Sequence, residues 1–283
     1  MPRRAKPRTL DSLITEYRAS QDFTRLSQGS KRVYLRAMDL IGGAYGEAAI
    51  DALRRRHVLV LRDSLSETPA IANQMLVAFS VLMNFAIDRE YRGDNPAFRV
   101  KKMRVGEYEA WPHEAIDFAL DNLPEVHCRA ILLALYTGQR EGDCIAMQWS
   151  NWDGAGIHCL QQKTKAKLWI PCHSKLNAAL AEWKRSATAV TILTNSDGLP
   201  WAGKSFPTGF SREMKKHKFL AQYQFHGLRK SAAAFLAEAG CSTLEIMSIT
   251  GHRTLSMVEH YTKQADQRSR ASAAILKLER NRN

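Results

Sequence analysis

Along most of these 283 residues the apolar side chains recur at the spacing of an α-helix, and in one stretch the period changes to that of an extended chain. LDSLITEYRAS and GSKRVYLRAMDLIG both carry the helical period; in the second, Val33, Leu35, Met38 and Ile41 are apolar and Gly42-Gly43 is the stop. EAAIDALRRRHVLVLRDSL adds one or two helices. TPAIANQMLVAFSVLMNFAIDREY is the clearest, with Ile71, Met75, Phe79, Leu82 and Ala86 on one stripe and Thr68-Pro69 as a start signal. The exception is GIHCLQQKTKAKLWIPCH, two extended runs around the polar centre Lys163 to Ala166, which reads as a β-hairpin. Helices resume after it. The pattern predicts a mainly α protein: a helical N-terminal domain, then a mixed α+β domain, mostly helical with a small antiparallel sheet.

The boundary between them is legible. RGDNPAFRVKKMRVGEYEAWPHEA has no apolar period, a proline, a glycine and many positive charges, which marks a linker at about residues 99–109. The expected domains are 1–98 and 110–283. Charge is spread over both. The chain carries 41 Lys+Arg against 28 Asp+Glu, a net +13. Through Met103 there are 18 basic against 11 acidic residues, and 23 against 17 beyond it. A basic field along the whole chain fits a long polyanion such as DNA better than a basic tail on a neutral enzyme would.

Cysteine usage argues against a disulfide scaffold. Cys128, Cys144, Cys159, Cys172 and Cys241 are odd in number and form no C-x-x-C pair, as expected of free thiols in a reducing compartment. His158-Cys159 and Cys172-His173 are adjacent pairs, a poor match to zinc-ligand spacing. The basic leader MPRRAKPRTL has no apolar region behind it, and AILLALY, the longest uniformly apolar run, is far short of a membrane span. The expected location is the cytoplasm, at the nucleoid.

Four polar islands fall in the second domain. In TGQREGD, Arg140 follows a Thr-Gly turn near a helix start, where its planar fork and the helix N–H groups can meet a phosphate. Lys163 lies on the hairpin with Lys165 and Lys167. In FHGLRKSAAAFLAEAG, His226 and Arg229 are three apart and share a helix face. His226 sits at the helix start, where the dipole disfavours protonation, and Gly240 is the stop. In SITGHRTLSMVEHYTKQADQ, His252 and Tyr261 are nine apart, about 2.5 turns at ~100° per residue, which sets them on opposite faces of a straight helix. They can meet only if the chain bends, and Gly251, followed by a new helix from Thr254, supplies the bend.

Each island alone is equally well explained by ordinary surface or packing residues. Together they suit phosphoryl transfer without metal. Two guanidinium forks can bind the non-bridging oxygens of a five-coordinate phosphorus. A histidine adds a donor, a lysine can protonate a leaving 5′-oxygen, and a tyrosine of pKa ~10 needs a neutral histidine to lose its proton.

Over TGQREGD, QQKTKAKLWIP, HGLRKSAAAFLAEAG and GHRTLSMVEHYTK, residues 137–263, the chain resembles the tyrosine recombinases: phage integrases and their Xer-type relatives. The resemblance implies that Arg140 and Arg229 bind the scissile phosphate and that Lys163, in the KT ahead of a strand ending in Ile-Pro, is the general acid. It makes His226 base or hydrogen-bond partner, His252 a phosphate donor, Asp143 a supporting acid, and Tyr261 the nucleophile of a 3′-phosphotyrosyl link. No cofactor and no metal are implied, because that link conserves the phosphodiester energy. The first domain becomes a core-binding DNA clamp. The partners implied are double-stranded DNA with attachment or core sites, a homotetramer on DNA joined through the C-terminal tail at about residues 268–280, and accessory directionality or DNA-bending proteins. Gly227 departs from the Asp common at that position, and the leader is too short for an arm-site domain.

Integration or excision of a phage or mobile element is the activity that follows. Two alternatives stay open at this point. A type IB topoisomerase-like relaxation shares the chemistry without a partner protomer, and a DNA-binding remnant would keep the fold without cleavage. A requirement for a defined site separates the first, and the full set of reactive residues argues against the second.

Overall fold

A computed structural model describes residues 8–280, in two compact units that divide between Glu107 and Tyr108. The first contains helices α1 (Leu10–Ala19), α2 (Gln21–Thr24), α3 (Gln28–Tyr45), α4 (Arg55–Asp63) and α5 (Pro69–Ile87). Short polar residues start three of them: the hydroxyls of Thr9, Ser20 and Ser27 each accept a backbone N–H of the first turn, which is why the chain can restart a helix so soon after stopping one. Proline opens α5, where its missing N–H costs no hydrogen bond.

α5 is the centre of this unit. Met75, Phe79, Leu82 and Ala86 are buried, as the stripe predicts, while Ile71 is half-buried. Ala72, Leu76, Met83 and Phe85 are buried too, because α1, α3 and α4 all pack on α5. By length and composition α5 could cross a bilayer; in the fold its apolar surface forms the core with Leu10, Leu13, Ile41 and Val58.

Residues 100–112 carry no regular structure, and two of them, Met103 and Trp111, are anchored by hydrogen bonds. The Asn73 carboxamide holds Met103 to the first unit, donating to its carbonyl and accepting its N–H, both at 2.9 Å. Trp111 is fully buried in the second unit, its N–H on the Ser231 hydroxyl at 2.7 Å and its indole N–H on Gln224 O at 2.9 Å.

The second unit follows as α6 (His113–Asn122), α7 (Glu125–Thr137), α8 (Glu141–Ala146), strands β1 (Gly156–Leu160) and β2 (Lys167–Pro171), then α9 (Ser174–Arg185), α10 (Ser205–Met214), α11 (Phe225–Glu238), α12 (Thr243–Thr250) and α13 (Ser256–Arg280). The strands are antiparallel, with Ile157 opposite Ile170 and His158 opposite Trp169. Ile157, Cys159 and Ile170 turn into the core and His158 and Trp169 to solvent, so the two extended runs form a half-buried hairpin. The small residues of α11, among them Ala232, Ala233 and Ala237, let α7, α12 and α13 approach closely. α11 stops as expected near Gly240, with Gly240 N–H on Ala237 O and Cys241 N–H on Leu236 O.

Candidate active site

Two left-handed glycines aim the pieces of the site. α7 ends on Gly138 at φ +64°, and the chain turns straight into Arg140, the N-cap of α8. α12, started by a reciprocal Ser242/Glu245 cap, ends on Gly251 at φ +69°. These φ values suit glycine because a Cβ crowds the backbone there. The bend at Gly251 is the one His252 and Tyr261 require. The next helix begins at Ser256, two residues later than Thr254, and carries Tyr261 on its second turn.

Arg229, on the inner face of α11, is buried. Its Nη1 donates to Gly138 O and to Thr250 O, each at 2.7 Å, so both glycine turns hold the same guanidinium. Its Nη2 is buried with no hydrogen-bond partner among the described residues. Burial first, and then the nearby charge of Arg140, push its pKa down to about 10, which leaves it charged at neutral pH. A buried donor beside a second cation is costly unless an anion completes it.

Arg140 is half-buried. Its Nη1 donates to Gln161 Oε1 at 3.2 Å and stands 3.9 Å from Asp143 Oδ2. Asp143 is buried, and its other oxygen accepts the Gln162 N–H at 2.8 Å, tying the hairpin loop to α8. That loop carries Lys163, exposed, whose charge reaches His226. Lys165, two residues on, has φ +59° and its N–H turned back on Gln161 O at 2.8 Å.

Both histidines are held below the ordinary imidazole pKa. His226, in the first turn of α11, is lowered by burial, then by Arg229, Arg140, Lys230 and Lys163. His252 is pushed down to about 4 by burial, Arg229, Arg140 and His226, in that order. The Thr250 hydroxyl donates to Ile246 O at 2.7 Å and lies 2.7 Å from His252 Nδ1. Its single proton is committed, so Nδ1–H is the donor in that pair and Nε2 carries the lone pair. In this tautomer His252 accepts at Nε2; donating to a phosphate there requires a second proton, which an arriving anion favours. Tyr261 is half-buried against the small cluster of Ala233, Ala237, Ile246 and Val258, and its phenol acts electrostatically on Arg229. Cys144 and Cys159, buried nearby, have thiols pushed up mainly by burial and are poor nucleophiles.

Gly227, next to His226, has a steric reason. A Cβ there would lie 2.2 Å from Glu109 O and 2.7 Å from the Trp111 ring, so only glycine lets residues 109–111 cross α11. Three residues at the centre of the site were not singled out from the sequence: Gln139, Gln161 and Thr250, all buried. Their carboxamides and carbonyl join the turns to the hairpin. No residue-type signal marks them, although Gln139 sits inside TGQREGD and Gln161 two residues before Lys163.

This constellation on this fold defines a DNA strand-transfer enzyme class, and comparison with known proteins agrees. Residues 112–268 match the model of the phage integrase family. Prophage integrase IntE of Escherichia coli (strain K12) is 25% identical over 295 residues, covering 91% of this chain and 76% of that protein. The integrase of Escherichia phage HK022 is 28% identical over 174 residues, 58% of this chain and 47% of that one. Among solved structures, lambda integrase (75–356) as a dimer bound to a COC′ core site superposes with a TM-score of 0.79 at 21% identity, covering 90% of this chain and 95% of that one. Lambda integrase as a tetramer bound to a Holliday junction gives 0.79 at 20% identity, covering 90% and 78%. The chain belongs to the phage integrase family: it is a tyrosine recombinase, an enzyme of site-specific recombination that cleaves and rejoins DNA.

Proposed function

We propose that this chain binds double-stranded DNA at an attachment site, in the cytoplasm at the nucleoid, and exchanges strands through Tyr261. The Tyr261 oxygen attacks phosphorus, forming a 3′-phosphotyrosyl bond as the bond to the 5′-oxygen breaks. His226 takes the phenolic proton, and Lys163 gives a proton to the leaving 5′-oxygen. Arg140 and Arg229 hold the non-bridging oxygens, with His252 as a further donor once protonated, and Asp143 steadies Arg140. Rejoining runs the same steps in reverse with a new 5′-hydroxyl. The observation that carries this reading is the Arg229 guanidinium, fixed by two carbonyls at 2.7 Å with Nη2 buried and open beside Arg140. A nicked duplex bearing the attachment site, whose cleaved end diffuses away, should trap a protein–DNA adduct that maps to Tyr261 by peptide sequencing. No adduct, or one on another residue, overturns the mechanism.

Assembly is the second part of the proposal. On α13, Ile275, Leu276 and Leu278 are each more than half exposed, which supports docking of residues about 268–280 on a neighbouring protomer of a DNA-bound tetramer. Removing that segment should abolish the tetrameric complex in a native gel while single-site DNA binding persists; unchanged tetramer formation rules the docking out. A relaxing topoisomerase would show no such loss.

A further inference from the structure

We infer that Gln161 is a positioning residue that locks Arg140, the Lys163 loop and the His252 segment into one register, with Gln139 as its fixed partner. This rests on the recombinase roles proposed above for Arg140 and Lys163. Gln161 is fully buried just past the end of β1. Its Nε2 donates to Gln139 Oε1 at 2.7 Å and to Thr250 O at 2.8 Å. Its Oε1 accepts from Arg140 Nη1 at 3.2 Å and from the Thr164 hydroxyl. Two amide protons and two lone pairs are all used, with nothing left over.

The orientation of both amides is forced. Gln139 Nε2 donates to Thr137 O at 2.8 Å and Ile249 O at 2.9 Å, so its oxygen must face Gln161. Gln161 must then donate to that oxygen and to Thr250 O, which leaves its own oxygen for Arg140 and Thr164. Thr250 O is also a partner of Arg229, so one carboxamide and one carbonyl link the two arginines. Thr164 follows Lys163 directly; besides its hydroxyl bond to Gln161, its carbonyl accepts from the Arg253 guanidinium. The loop that carries the lysine is thereby registered against the phosphate-binding arginines on one side and the His252 segment on the other.

A methionine at 161 would fill the same volume. What it would lose is the coupling, and a fully satisfied polar network in a core sets geometry more than it adds stability. The test separates positioning from folding by changing the leaving group. Attachment-site suicide duplexes are made with the normal 5′-oxygen or with a 5′-bridging sulfur, which departs as a thiolate without a general acid. Gln161→Met should cleave the oxygen duplex about 30-fold more slowly than wild type and the sulfur duplex only about 5-fold more slowly, with DNA affinity within about twofold. The shared part of the loss belongs to Arg140 and the difference to Lys163. Oxygen-duplex cleavage within twofold of wild type, or equal slowing on both duplexes, overturns the inference. If Gln161→Met does not melt cooperatively, Thr164→Val removes only the loop contact. It should slow the oxygen duplex about tenfold and leave the sulfur duplex near wild type, and equal rates on both relative to wild type overturn the coupling. Wild-type protein that forms no adduct with either duplex fails the recombinase reading itself, whereas wild-type cleavage with an unaffected variant fails this inference alone.

Discussion

Arg229→Lys protein should fold, bind the attachment-site duplex nearly as tightly as wild type, and cleave it about 10³-fold more slowly. At most one charge out of a net +13 is lost, so long-range attraction to DNA persists. The fork does not. Arg229 spends Nη1 on Gly138 O and Thr250 O and has Nη2 left for a ligand, a division of labour that a planar guanidinium allows. A lysine ammonium is one point. If it satisfies the two carbonyls it has little geometry left for a phosphate oxygen, and if it reaches the phosphate it leaves two buried acceptors unpaired. Burial beside Arg140, which already lowers the arginine, would depress an ammonium further and favour its neutral form. Three measurements decide it: melting temperature, equilibrium binding, and single-turnover cleavage. Cleavage within tenfold of wild type would show that fork geometry is not what the site uses. A melting loss that tracks the activity loss across Arg229→Lys and Arg229→Ala would make Arg229 a clamp between turns rather than a phosphate ligand.

How much of this was legible before the fold was known differs by level. Helix periods, the hairpin and the stops at Gly240 and Gly251 were legible because each is a local property; the stop expected at Gly42-Gly43 was not one, since α3 runs through both glycines to Tyr45. Thr68-Pro69, Gly240 and Gly251 act on the residues beside them, and nothing distant overrides them. The requirement for a bend between His252 and Tyr261 was likewise arithmetic on one helix. The stripe on α5 was too narrow, because the sequence cannot say how many neighbours a helix will meet, and three helices cover this one. Asn73 holds Met103 and Ser231 holds Trp111 through hydrogen bonds across 30 and 120 residues, which no local pattern encodes. The candidate residues stood out because arginine, lysine, histidine and tyrosine announce their chemistry. The amides that aim them did not. Gln139 and Gln161 have neither charge nor period, and their role exists only where three separate turns meet.

Gly251→Ala should slow cleavage about 300-fold and lower stability by about 1–3 kcal/mol, and Gly240→Ala should do only the second. Both glycines lie in the left-handed region, at φ +69° and +88°, so both substitutions carry the same kind of backbone strain. Their surroundings differ. A Cβ at 240 meets nothing within 4 Å, whereas at 251 it lies 2.5 Å from Gln161 Nε2 and 2.8 Å from Leu168 Cδ1. Side-chain ends can often yield, but this one cannot without breaking bonds to Gln139 and Thr250, and through them the registry of Arg140 and Arg229. If the backbone yields instead, His252 leaves Thr250 and the α12–α13 bend opens, moving Tyr261 relative to the phosphate site. Either response disturbs the chemistry by roughly an ångström, which is enough for a loss of this size. The pair of variants therefore separates strain from position. Matched melting losses with unequal cleavage support the bend as the element that brings His252 and Tyr261 together. Equal cleavage by the two proteins would show that helix termination at Gly251 matters for folding alone, and that the nucleophile reaches its phosphate by another route.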